Sequence, residues 1–127
     1  MPIKSSSKTL RLWAFGDAHV GSDKRHGRDS LAEAIRQSES GGTDGGPPFA
    51  WDVAIDVGDM SGAHGVPQDE EGEELVRQFE SLTDHKREDI YNVCGNHDRS
   101  GLDEPDAWWW QKWVDPLGQH TQFSGVN

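Results

Sequence analysis

Apolar residues in this chain gather in three short runs, each halted by a glycine. They are Leu10-Arg11-Leu12-Trp13-Ala14-Phe15 before Gly16, Val53-Ala54-Ile55-Asp56-Val57 before Gly58, and Ile90-Tyr91-Asn92-Val93-Cys94 before Gly95. Short runs with β-branched and aromatic residues, closed by glycine, predict strands. Asp56 interrupts the second run with a charge that the pattern does not explain.

Two stretches between the runs have helical spacing. In the first, Ser30-Leu31-Ala32-Glu33 reads as a capping box, and Leu31, Ala34, Ile35 and Ser38 share one face up to Gly41-Gly42. The second starts near Pro67, with Asp69, Glu70 and Glu71 at the positive end of its dipole and Leu75, Val76, Phe79 and Leu82 following. Its acidic run is read as a solvated face. The Gly/Pro-rich stretch from Ser40 to Pro48 is read as a loop. Strand, helix, strand, helix, strand predicts βαβαβ and a largely parallel sheet. Ligands of such sheets lie beyond the carboxyl ends of the strands.

Composition narrows the picture. The chain has 127 residues, within the range of one domain, but only 32% of them are hydrophobic. No apolar stretch approaches the roughly 20 residues of a membrane span, and Met1 to Lys8 lacks the apolar core of a secretion signal. A soluble, cytoplasmic protein is therefore expected, with no membrane partner. A formal net charge of -11 argues against a nucleic-acid surface. An anionic substrate would need local positive charge, which bound divalent ions supply. The single cysteine, Cys94, ends an apolar run and reads as a buried small hydrophobe.

The residues just after each glycine are the chemically informative ones. Asp17-Ala18-His19 comes after the first run, Asp59 after the second, and Asn96-His97-Asp98 after the third. Residues two apart in an extended chain project from the same side, so Asp17 and His19 can chelate one ion. The two oxygens of Asp59 can bridge a pair of ions, and Asn96 offers a carbonyl oxygen. Mixed O/N ligation without thiolate suits Mn, Fe or Zn, with Mg possible. Each motif alone is weak; all three lie in order on one edge.

These motifs resemble those of the calcineurin-like metallophosphoesterase superfamily: Asp-x-His as Asp17-Ala18-His19, Gly-Asp as Gly58-Asp59, and Gly-Asn-His-Asp/Glu as Gly95-Asn96-His97-Asp98. The resemblance implies a four-layer α/β/β/α sandwich, of which residues 1–127 form the N-terminal part of a single domain. It implies a dinuclear centre with a bridging hydroxide that hydrolyses phosphate mono- or diesters. Asp17 and His19 are the implied ligands of the first ion, Asp59 the bridge, and Asn96 a ligand of the second. His97 is implied to stabilise the phosphoryl transition state or protonate the leaving group, with Asp98 orienting it.

Two departures stand out. Met60-Ser61-Gly62 comes after Asp59 where the family often carries another Asp or Asn. The later strand-borne Gly-His and Gly-x-His motifs do not appear, since Gly118-Gln119-His120 comes after Pro116 with no strand before it. His26 and His64 are weak ligand candidates too, and His85 is read as lying in a charged helix end. The chain alone is thus expected to be inactive, and its half-core to need the C-terminal half or a partner to cover it. The alternative is a truncated or degenerate non-catalytic member acting through protein contacts. Trp108-Trp109-Trp110 and Trp113 predict a short helix, read as packing against the sheet or the missing half, with stacking on a base or sugar as the rival. Arg99 reads as a phosphate contact or a surface residue.

Overall fold

A computed structural model of the chain describes residues 9–21, 29–63, 65–99, 107–116 and 118. His26, His64, His120 and the start of the tryptophan segment at Pro105-Asp106 lie outside the described residues. The described chain is a small α/β domain: β1 (Leu12–Phe15), α1 (Ser30–Ser40), β2 (Val53–Asp56), α2 (Asp69–Phe79) and β3 (Ile90–Asn92). The strands form a parallel sheet in the order β1-β2-β3. All three predicted runs become strands: β1 loses Leu10 and Arg11 at its start, β2 loses Val57 and β3 loses Val93 and Cys94 at the glycine end.

In-register neighbours share a face of a sheet. Trp13, Ala54 and Ile90 stand side by side, followed by Phe15, Asp56 and Asn92. On this face Ala54, Ile90, Asp56 and Asn92 are buried, and Trp13 and Phe15 pack on the core. Helices α1 and α2 touch each other. They lie together over this face, as consecutive right-handed crossovers in a 1-2-3 order require. The opposite face differs: Val53 is buried, but Leu12 is 51% exposed, Ala14 is exposed, and Ile55 and Tyr91 are half-buried.

Helix α1 starts one position earlier than the capping box predicts. Asp29 is the N-cap and its carbonyl takes the Glu33 amide, while the Glu33 side chain pairs with Arg36. Its buried face carries Leu31, Ala32, Ile35, Ser38 and, against expectation, Glu39. Glu39 accepts from the Thr83 and Asp84 amides, each at 2.9 Å, and lies 2.7 Å from Nδ1 of His85. Burial pushes this carboxyl up, but those hydrogen bonds outweigh it and hold the pKa below its ordinary value. The His85 ring stacks on Trp51 at 3.4 Å, with Nε2 2.7 Å from the Trp51 carbonyl. His85 is thus a structural clamp between α1 and the approach to β2.

In α2 the acidic first turn is used rather than merely solvated. Glu71 Oε2 accepts from the Gln68 amide at 3.0 Å, and Asp69 Oδ1 accepts from the Trp113 indole at 2.9 Å. The tryptophan segment is helical, but Trp110–Val114 winds as a π-helix. Trp109 and Trp110 are fully buried and Trp109 donates to the Gln68 carbonyl at 2.8 Å, so the segment packs against the start of α2. Arg87 closes its far end by donating to the Trp113 and Val114 carbonyls. Trp113 lies so close to α2 that a Cβ on Gly72 would come within 2.2 Å of the indole. Gly72→Ala should therefore lose about 1–3 kcal/mol to overpacking, more than the roughly 1 kcal/mol gained in helix propensity. A lower urea midpoint checks this. No helix among the described residues is long and apolar enough to cross a membrane.

Candidate metal centre

The loops leaving the three strands meet at the carboxyl edge of the sheet. The first two run side by side beyond the strands: the Asp17 amide donates to the Gly58 carbonyl at 2.9 Å, and Val20 to that of Met60 at 2.8 Å. The third closes on the second, since a Cβ on Gly58 would lie 2.9 Å from the Gly95 Cα. Gly58 also has φ 113°, a conformation glycine adopts freely.

Asp17, His19 and Asp59 each bring a ligand atom to a cluster in which these atoms lie within 4.8 Å of one another. Asp17 and His19 do not reach it from an extended chain. They turn left-handed, with φ 55° and 47°, and Asp59 does so too at 59°. Among the described residues only Ala50 joins them as a non-glycine with positive φ. Such backbone strain concentrates at functional sites. Nε2 of His19 is sealed from solvent without a hydrogen-bond partner, 3.8 Å from Asp17 Oδ1. A partnerless imidazole nitrogen beside two carboxylates is a donor set that fits a divalent cation.

The third loop delivers Asn96 and His97 to the same place. The Asn96 carboxamide reaches both Asp59 oxygens, its nitrogen donating at 3.2 and 3.3 Å when turned toward them. Turned the other way, its oxygen faces the two Asp59 oxygens, an arrangement that a cation between them would satisfy. The His97 amide donates to Asp59 Oδ1 at 3.0 Å. Its ring sits 5.7 Å from that of His19, and Nδ1 donates to the Ala63 carbonyl at 2.6 Å. That bond fixes the tautomer, leaving the lone pair of the neutral ring on Nε2. The four expected ligands and His97 are therefore brought together.

Asp98 is placed where sequence reasoning did not put it. Its carboxylate accepts from the amides of Asp59, Ser61 and Gly95 at 2.9, 3.0 and 3.0 Å. Burial pushes its pKa up to about 6, with three amide donors opposing and the Asp59 charge assisting. Ser61, which the sequence marked only as part of the Met60-Ser61-Gly62 departure, donates to Glu71 Oε1 at 2.9 Å and ties the second loop to α2. Cys94 is buried with its thiol pushed up to about 12, chiefly by burial, as suits a small core hydrophobe. Arg99 is half-buried, beside that thiol.

Asp56, the charge inside the second apolar run, serves the turn that comes after β2. Fully buried, it accepts from the Gly58 amide at 2.8 Å and so shapes the turn into Asp59. Its other oxygen and Oδ1 of its strand neighbour Asn92 are both buried without a donor. Burial raises its pKa well above the ordinary value. Stability linked to such a raised pKa is complete below the unfolded carboxyl range and is lost as pH rises through the folded value. Asp56→Asn stays neutral and offers Asn92 a donor. With metal chelated, it should match the wild type near pH ~4 and exceed it by about 1–3 kcal/mol near pH ~8, read by urea unfolding.

No protein-family model, curated protein or solved structure matches this chain.

Proposed function

We propose that this chain is the N-terminal part of a metal-dependent hydrolase of phosphate mono- or diesters, of the calcineurin-like kind. The observation carrying this is the convergence of Asp17, His19 and Asp59 within 4.8 Å at the carboxyl edge of a parallel sheet. In this reading the described sheet and its helices form half of the α/β/β/α sandwich. Asp17 and His19 would hold a first divalent ion, Asn96 a second, and Asp59 both. Mn, Fe and Zn suit the donor set, and Mg its oxygens. Such ions supply Lewis-acid charge for phosphoryl oxygens and acidify a water molecule. They would also give an anionic substrate its attractor on a chain of net charge -11. In this reading His97, its ring held by the Nδ1 bond to the Ala63 carbonyl, would stabilise the phosphoryl transition state or protonate the leaving oxygen.

The test is ³¹P NMR of p-nitrophenyl phosphate with Mn²⁺ and protein. The wild type should broaden the ester signal beyond free Mn²⁺, and Asp59→Asn should not. Equal broadening by both proteins would overturn the reading. Little or no turnover by this chain is expected, because the family's later histidine motifs are not among its residues. A second reading, a non-catalytic member acting through protein contacts, is favoured by the apolar sheet face on which Leu12 and Ala14 stand exposed. It predicts partner or self-association that neither Mn²⁺ nor Asp59→Asn alters.

A further inference from the structure

Asp98 is fully buried, and both of its oxygens go to backbone amides. Oδ2 takes the Asp59 and Gly95 amides, and Oδ1 takes that of Ser61. Asp59 returns the contact, its Oδ1 accepting from the His97 amide at 3.0 Å. Two carboxylates thus lock the second loop to the third, each accepting from a backbone amide of the other's loop.

This lock acts on a strained residue. Asp59 has φ 59°, and a left-handed non-glycine costs of order 1–3 kcal/mol unless its surroundings over-determine it. Asp98 holds the amide of Asp59 itself and the amide two residues on. Charge-assisted bonds of this kind are roughly twice as strong as neutral ones. We infer that Asp98 is a positioning residue for the metal centre, holding Asp59 in the left-handed conformation from which its carboxylate meets Asp17 and His19. This rests on the proposed metal site and departs from the role the family resemblance implies, in which Asp98 orients His97. The ion and the lock select the same backbone state, so each strengthens the other.

The test compares Mn²⁺ affinity of the whole chain and its Asp98→Asn variant by EPR of free Mn²⁺, with Trp fluorescence reporting folding through buried Trp109 and Trp110. Asparagine keeps the size but turns an N–H₂ group against backbone amides. Affinity should fall about 10–100-fold, the usual cost of losing an outer-sphere partner, while the variant stays folded. A folded variant that binds as tightly as the wild type overturns the role of Asp98 and leaves the metal site standing. A wild type that does not bind Mn²⁺ overturns the metal site, and this inference with it. Should the variant not fold, amide exchange in the wild type decides. Zn²⁺ must slow exchange at Asp59, Ser61 and Gly95, and unchanged exchange there overturns the lock.

Discussion

Asp59→Asn is expected to remove metal binding almost completely while leaving the fold in place. Asparagine is, with aspartate, among the residues that best tolerate the left-handed φ of 59° found here. Its side-chain oxygen can still accept the His97 amide that Asp59 Oδ1 takes at 3.0 Å. The substitution therefore deletes one negative charge and one ligand oxygen and little else. Asp59 has a ligand atom within 4.8 Å of those of Asp17 and His19, and its two oxygens lie within hydrogen-bond reach of Asn96. Its loss should cost more than the 10–100-fold typical of an outer-sphere partner. Mn²⁺ titration followed by EPR measures this, with urea unfolding of the chelated protein as control. A variant that keeps its affinity removes Asp59 from the site. Any phosphoester turnover should disappear with the affinity.

Gly95→Ala should have an effect as large by another route. The backbone at Gly95 has φ -81°, which alanine adopts easily, so conformation is not the obstacle. Space is: a Cβ there would lie 2.1 Å from Asp59 Oδ1 and 2.3 Å from the Asp59 nitrogen. The nitrogen is backbone, already tied to Asp98, and cannot swing aside as a side-chain end does. The loops after β2 and β3 must part, which breaks the Asp98 lock and moves Asp59. A loss of about 1–3 kcal/mol in urea unfolding is expected from overpacking, together with loss of Mn²⁺ binding. Near-wild-type affinity in this variant would show that the two loops need not touch.

Much of this arrangement was legible in the order of residues. Each apolar run ended by glycine became a strand, and each polar cluster landed at the carboxyl edge, because strand length and glycine stops are local properties. How the ligands converge was not legible. Asp17 and His19 meet through left-handed turns rather than an extended chain, and such turns arise from contacts with a neighbouring loop 40 residues away. Asp98 could be named as a motif residue, but its partners are amides of another loop, which no spacing rule reveals. The same holds for Glu39 and His85, whose burial depends on each other. Asp56 is the instructive case. Its charge inside an apolar run was a visible signal, and its meaning, shaping the turn into Asp59, needed the turn itself.

The most direct measurement tracks amide NMR signals as Mn²⁺ is added in small amounts. On a chain of net charge -11, weak binding to scattered carboxylates is expected as background, so location matters more than affinity. Signals of residues 17–19, 59 and 96–98 should vanish first, before those of the exposed acidic residues of α2 such as Glu73. Broadening that begins on α2, or spreads evenly over the acidic surface, would contradict a metal centre at the sheet edge.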